Sequence, residues 1–218
     1  MSSKSSVASN TIFLSIRMVL VMAVSLYTSR VVLSSLGSVN YGVYNVVAGT
    51  IAALVFFYAS LSNAIQRVLG ISITTQDISL LRQTFSQCLS ILGLFALGLF
   101  LLGAILSYPI VSFLTIPDDV RTTALWVFLF NIGLFAFAMI RSAYESVFII
   151  HEDMSTFAYV SIFEVLGRLG GALLITILPE DSRLWIYGFI MFLIQGITMS
   201  MYIFLAYRKY EECRGNHF

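Results

Sequence analysis

Six ionisable side chains fall inside stretches that are otherwise apolar: Arg17, Arg30, Arg141, Glu145, Glu164 and Arg168. Their chemistry is limited and specific. A guanidinium forms bidentate, charge-assisted hydrogen bonds to phosphate or carboxylate oxygens, and a carboxylate either pairs with such a cation or exchanges a proton. In hydrocarbon each charge costs roughly 2.5–3.5 kcal/mol at a helix centre, so each needs a partner or a wet cavity. Arg141/Glu145 and Glu164/Arg168 are i,i+4 neighbours and share helix faces. Arg141 and Glu164 are nearly equidistant from a turn at 150–154, which puts them at similar depth and predicts a pair across the hairpin, with Arg168 one turn deeper and only partly neutralised. Arg141, Glu145 and Glu164 therefore read as a ladder of structural ion pairs. Four arginines against two glutamates leave two excess positive charges, which points to an anionic partner and away from export of cations, for which unpaired carboxylates are expected.

Other chemistry finds little support. Cys88 and Cys213 show no metal or redox spacing. His151 and His217 are far apart, so no metal site and no cofactor is expected. No phosphate loop or dinucleotide fingerprint occurs. The glycine-rich 166–171 lies in an apolar run, where its glycines suit close helix packing. The His151-Glu152-Asp153 sequence reads as a solvated turn, and Asp118-Asp119 after Pro117 as a helix-start signal. No catalytic residue is assigned, and the chain is not expected to be an enzyme. A net charge of +1 gives no reason to expect nucleic acid.

The elements that must hold these charges are membrane helices. Of 218 residues 59% are hydrophobic and 11% charged, whereas soluble domains carry about 25% charged residues; the mean hydropathy is +0.92. A membrane-crossing helix takes about 20 mostly apolar residues, and six segments qualify: 11–35, 43–66, 83–107, 121–149, 155–178 and 184–207. Gly37 and Gly42, the polar link 70–77, Pro109 to Asp119, 151–153 and Pro179 to Asp181 separate them. The expected fold class is all-α: a polytopic six-helix bundle over 11–207, a polar N-terminus over 1–10 and a polar tail over 208–218. With both termini cytoplasmic, Lys4, Arg67, Arg82, Arg208, Lys209 and Arg214 lie inside and only Arg121 and Arg183 at the outer edge. Tyr41, Tyr44, Trp126 and Trp185 then mark the outer interface and Tyr207 and Tyr210 the inner one. Arg17 sits about 10 Å inside the first span, where it either snorkels to the headgroups or faces a cavity; Arg30 lies nearer the outer end and suits a cavity.

Several stretches resemble one family. TSRVVL at 28–33, LGSVNYGVYNVV at 36–47, SNAIQR at 62–67, HEDMSTFAYVSIFEVLGRL at 151–169 and YRKYEECR at 207–214 are similar to bacterial polysaccharide exporters. These are the Wzx-like O-antigen flippases of the multidrug/oligosaccharidyl-lipid/polysaccharide exporter superfamily. The resemblance implies a lobe of a two-lobe fold working by alternating access in the bacterial inner membrane. It implies a lipid-linked oligosaccharide with an anionic pyrophosphate headgroup as the substrate in polysaccharide biosynthesis. Arg30 and Arg17 would face its central cationic cavity, with Arg168 a third contributor. Family members have about twice as many spans, so this chain is expected to be an N-terminal half that works with a missing C-terminal lobe or a second copy of itself. The alternatives are a cation or drug exporter of the same superfamily, a non-transporting membrane scaffold and, most distantly, an intramembrane transferase.

Overall fold

The computed structural model describes residues 2–114 and 116–213; for residues 2–14 and Phe57 it describes the backbone alone. The Lys4 side chain, Arg214 and His217 lie outside what is described. Among the described residues there are helices and no strand: α1 (Ser2–Ala52), α2 (Val55–Thr74), α3 (Ile78–Phe113), α4 (Arg121–Ile150), α5 (Met154–Leu174) and α6 (Glu180–Lys209). Short 3-10 turns cover Asp118–Val120, Ile175–Ile177 and Glu211–Cys213.

Five helical stretches among the described residues are long and apolar enough to cross a membrane: Ser15–Ala52, Ile78–Phe113, Asp118–Ile150, Met154–Ile177 and Glu180–Lys209. The last four overlap the expected spans, but α3 continues through Pro109, expected to lie in a break, as far as Phe113. The first two do not keep their expected boundaries. The turn at Gly37–Gly42 is reduced to a kink at Gly37 alone, whose φ of 73° and ψ of 170° suit only a residue without a Cβ. Helix resumes at once and continues to Ala52, so the expected 43–66 is interrupted instead at Ala53–Leu54. Beyond that break α2 carries Asn63, Gln66 and Arg67 and is not among the five.

α4 is the hub. Its buried positions Ala124, Val127, Phe128, Ile132, Phe135, Met139, Ala143 and Val147 follow a spacing of three or four residues, with Val127 and Phe128 adjacent, and α6, α3, α2 and α1 pack around it. Close approach comes from small residues: a Cβ at Gly103 of α3 would overlap the Ile132 side chain, and one at Gly171 of α5 would sit 2.5 Å from Ile190 Cγ2 of α6. Of the glycines at 166–171, Gly171 thus meets the expectation of close packing, whereas Gly170 faces open space.

The two ends of the bundle are tied differently. At one end the α4–α5 turn meets the segment after α6. Lys209 Nζ donates to Asp153 Oδ2 (2.7 Å) and Thr156 Oγ1 (2.6 Å), and Tyr210 Oη donates to Asp153 Oδ2 (3.2 Å). His151 pairs with Glu212 and stacks on Tyr210, ring centroids 4.2 Å apart. Arg82 of α3 donates to the Glu211 carbonyl at 3.2 Å. His151 and Asp153 are therefore bound into a knot rather than solvated, and Glu212 and Cys213 of the expected polar tail are buried. At the opposite end Arg183 donates through Nε to the Leu178 carbonyl and through Nη1 to the Ser35 carbonyl, both at 2.8 Å. The second bond caps the helix turn that Gly37 terminates. Asp118 and Asp119 lie, as expected, in the turn that leads into α4, but neither caps it by a side-chain hydrogen bond: Asp118 pairs with Arg121 (2.8 Å).

Candidate functional site

About a third of the way along α4 from the knotted end, the apolar packing is interrupted by a layer of charge. α4 is apolar around it, and only this turn of the helix presents Arg141 and Glu145. α5 runs antiparallel from the tight turn at His151–Asp153, so Glu164 and Arg168 arrive at matching height. Arg141 Nη1 donates to Glu164 Oε2 at 2.7 Å, and Arg168 Nη2 donates to Glu164 Oε1 at 2.6 Å. Each Glu164 oxygen is thus held by a different arginine. Glu145 Oε1 lies 3.1 Å from Arg141 Nε, an ion pair without a hydrogen bond, since that Nε has no hydrogen-bond partner.

Exposure differs sharply within the layer. The Arg141, Glu145 and Glu164 side chains are 13%, 16% and 12% exposed, whereas Arg168 is 43% exposed. Arg168 therefore has one committed nitrogen and an accessible remainder. Arg17 enters from α1: its Cζ lies 4.4 Å from the Phe157 ring centroid, its Nε is buried without a hydrogen-bond partner, and it is close enough to Glu145 to act on its charge. The guanidinium thus turns onto the first turn of α5, beside the His151–Asp153 turn.

Tyrosines surround the arginines, and sequence reasoning did not single them out for this role. Arg141 Cζ stands 5.8 Å from the Tyr202 ring centroid, in cation–π range. Tyr58 of α2 lies within electrostatic reach of Arg141 and Glu145. Tyr44 and Tyr187, edge to face at 5.0 Å, lie within reach of Arg168. The available signal was a tyrosine in mid-span, which needs a polar partner for its hydroxyl.

The layer does not include Arg30. On the same helix, Arg30 is 13 residues beyond Arg17, about 20 Å along the axis and about 140° around it. Arg17 is in line with buried Ser35 and about 60° from buried Val32 on α1, whereas Arg30 is exposed and points away from this bundle. The structure thus brings Arg141, Glu145, Glu164 and Arg168 together, sets Arg17 within electrostatic reach of Glu145, and leaves Arg30 on a separate surface.

The layer can bind an anion and can exchange a proton. Three guanidiniums and two carboxylates, all ionised, leave one net positive charge in a poorly solvated setting, and Arg168 presents it outward. Comparisons with protein-family models, with curated proteins and with solved structures returned no match.

Proposed function

We propose that this chain is a lobe of a transporter that moves a lipid-linked oligosaccharide with an anionic diphosphate headgroup across the bacterial cell membrane, with both termini cytoplasmic. Arg168 and Arg17 engage the headgroup. The observation that carries the reading is the uneven commitment of the arginines: Arg141 is locked between two carboxylates, while Arg168 gives one nitrogen to Glu164 and keeps 43% of its side chain exposed. A guanidinium held at one edge and open at the other is arranged to accept a phosphate oxygen without first losing its place.

Arg30 supports a two-lobe arrangement. An exposed arginine on an apolar helix surface, aimed away from its own bundle, calls for a wet crevice or another protein surface opposite it. The resemblance of 28–47 and 151–169 to polysaccharide exporters agrees with a second lobe there, supplied by another polypeptide segment or a second copy. The cation-exporter alternative has one observation in its favour, the loosely paired Glu145. The excess of positive charge weighs against it.

The test is binding by the reconstituted full chain. A polyprenyl-diphosphate oligosaccharide is expected to bind at least tenfold more weakly to Arg168→Ala than to the unaltered protein, while the knotted end keeps its hydrogen-exchange protection. Equal binding of an uncharged polyprenol-linked sugar, or no effect of Arg168→Ala, would overturn the reading.

A further inference from the structure

The two carboxylates of the charged layer are not equivalent. Glu164 spends both oxygens on charge-assisted hydrogen bonds, one to each arginine. Glu145 is nearly as enclosed, at 16% against 12% exposure, yet it is held less firmly: Arg141 Nε approaches to 3.1 Å without the alignment of a hydrogen bond. On the α6 side the Tyr202 hydroxyl reaches towards Glu145 and is buried without a well-aligned hydrogen bond. A buried ionised carboxylate so loosely held is costly, and the neutral acid removes the charge and gains a donor of its own. Two acids placed in one layer with such different partners are suited to different roles: Glu164 is bound on both oxygens, Glu145 is not.

We propose that Glu145 is an exchangeable proton site, and that an anion bound at Arg168 and Arg17 promotes its protonation. The linkage to the anion rests on the reading under Proposed function; the proton site itself does not. The groups that face Glu145 are Arg17 from α1, Tyr58 from α2, Arg141 one turn away on α4, Glu164 from α5 and Tyr202 from α6. α3 packs on α4 nearby through an aromatic contact, Phe85 edge-on to Tyr144. With all charges present the layer carries three positive and two negative groups. A diphosphate reverses that sign, and adding a proton to Glu145 restores near-neutrality. The sign of the linkage is fixed: a negative charge brought near a carboxyl favours its protonated form.

Infrared titration of the purified full chain in detergent tests both parts. The unaltered protein is expected to show a carboxyl band that titrates apart from those of the exposed carboxylates. Glu145→Gln removes that band, and Glu145→Asp retains one. Inorganic pyrophosphate moves the band's midpoint to higher pH. An identical titration in Glu145→Gln, or no band in the unaltered protein, would overturn the proton site. A band that depends on Glu145 yet ignores pyrophosphate would leave the proton site standing and overturn both the linkage and the anionic-headgroup reading.

Discussion

Two polar constructions in this chain use the same kinds of groups to different ends. The charged layer at Arg141, Glu145, Glu164, Arg168 and Arg17 lies among apolar helix faces. The knot at His151, Asp153, Lys209, Tyr210 and Glu212 lies at the end of the bundle. In the knot, Lys209 is 46% exposed and water shares the work of solvation. In the layer, only the protein can solvate Arg141 and Glu164. An ion pair in the second setting is costly to break rather than strongly stabilising to form, because removing one member leaves the other without water. The contrast locates where loss of a charge should be felt most.

The largest effect is expected for Glu164→Gln. It removes the charge that pairs two guanidiniums and replaces one of the two acceptor oxygens with a donor, and it should destabilise the protein by about 3 kcal/mol or more in reversible unfolding. Arg141→Met should cost less in that background than alone; fully additive losses would show that the pair at 2.7 Å is not an energetic unit. Arg183→Ala comes next. It frees the Leu178 and Ser35 carbonyls, and an unsatisfied acceptor costs about 1–3 kcal/mol. Faster hydrogen exchange on both sides of Gly37 should report it, and unchanged exchange would show that Arg183 does not hold the kink.

The knot should respond to acid. Burial alone would raise the Asp153 carboxyl, but hydrogen bonds from Lys209, Thr156 and Ser155 outweigh it and hold its pKa at about 2. Burial likewise opposes, and the His151 hydrogen bond overcomes, so that Glu212 lies below the usual carboxylate range. Depressed carboxyls stabilise above their unfolded-state pKa and lose that contribution as pH falls through the folded one. Protection of 209–213 should therefore fall progressively from about pH 4.5 towards pH 2. The smallest effect belongs to Lys209→Ala, below about 1 kcal/mol and smaller still in high salt. A larger loss would mean the knot is as dry as the layer.

What could be read from sequence follows the same division. Arg141 opposite Glu164 was legible because a tight turn sets the depth of both helices, so residue counting suffices. Arg17 and Arg30 were grouped through resemblance, although 13 residues of helix already place them on different faces. The kink at Gly37 had a glycine to announce it; the break at Ala53–Leu54 has neither glycine nor proline to mark it. His151 with Glu212 joins residues 61 positions apart, which no local pattern encodes. The hydroxyls of Tyr58 and Tyr202 likewise became visible only once the helices were assembled.

The most direct measurement concerns the open edge of the layer. In a Cys88→Ala, Cys213→Ala background, a cysteine replacing Arg168 should react in intact membranes with a charged, membrane-impermeant thiol reagent, and inorganic pyrophosphate should slow the reaction through the remaining arginines. Reaction only with a lipid-permeant reagent, at a rate indifferent to pyrophosphate, would contradict the account.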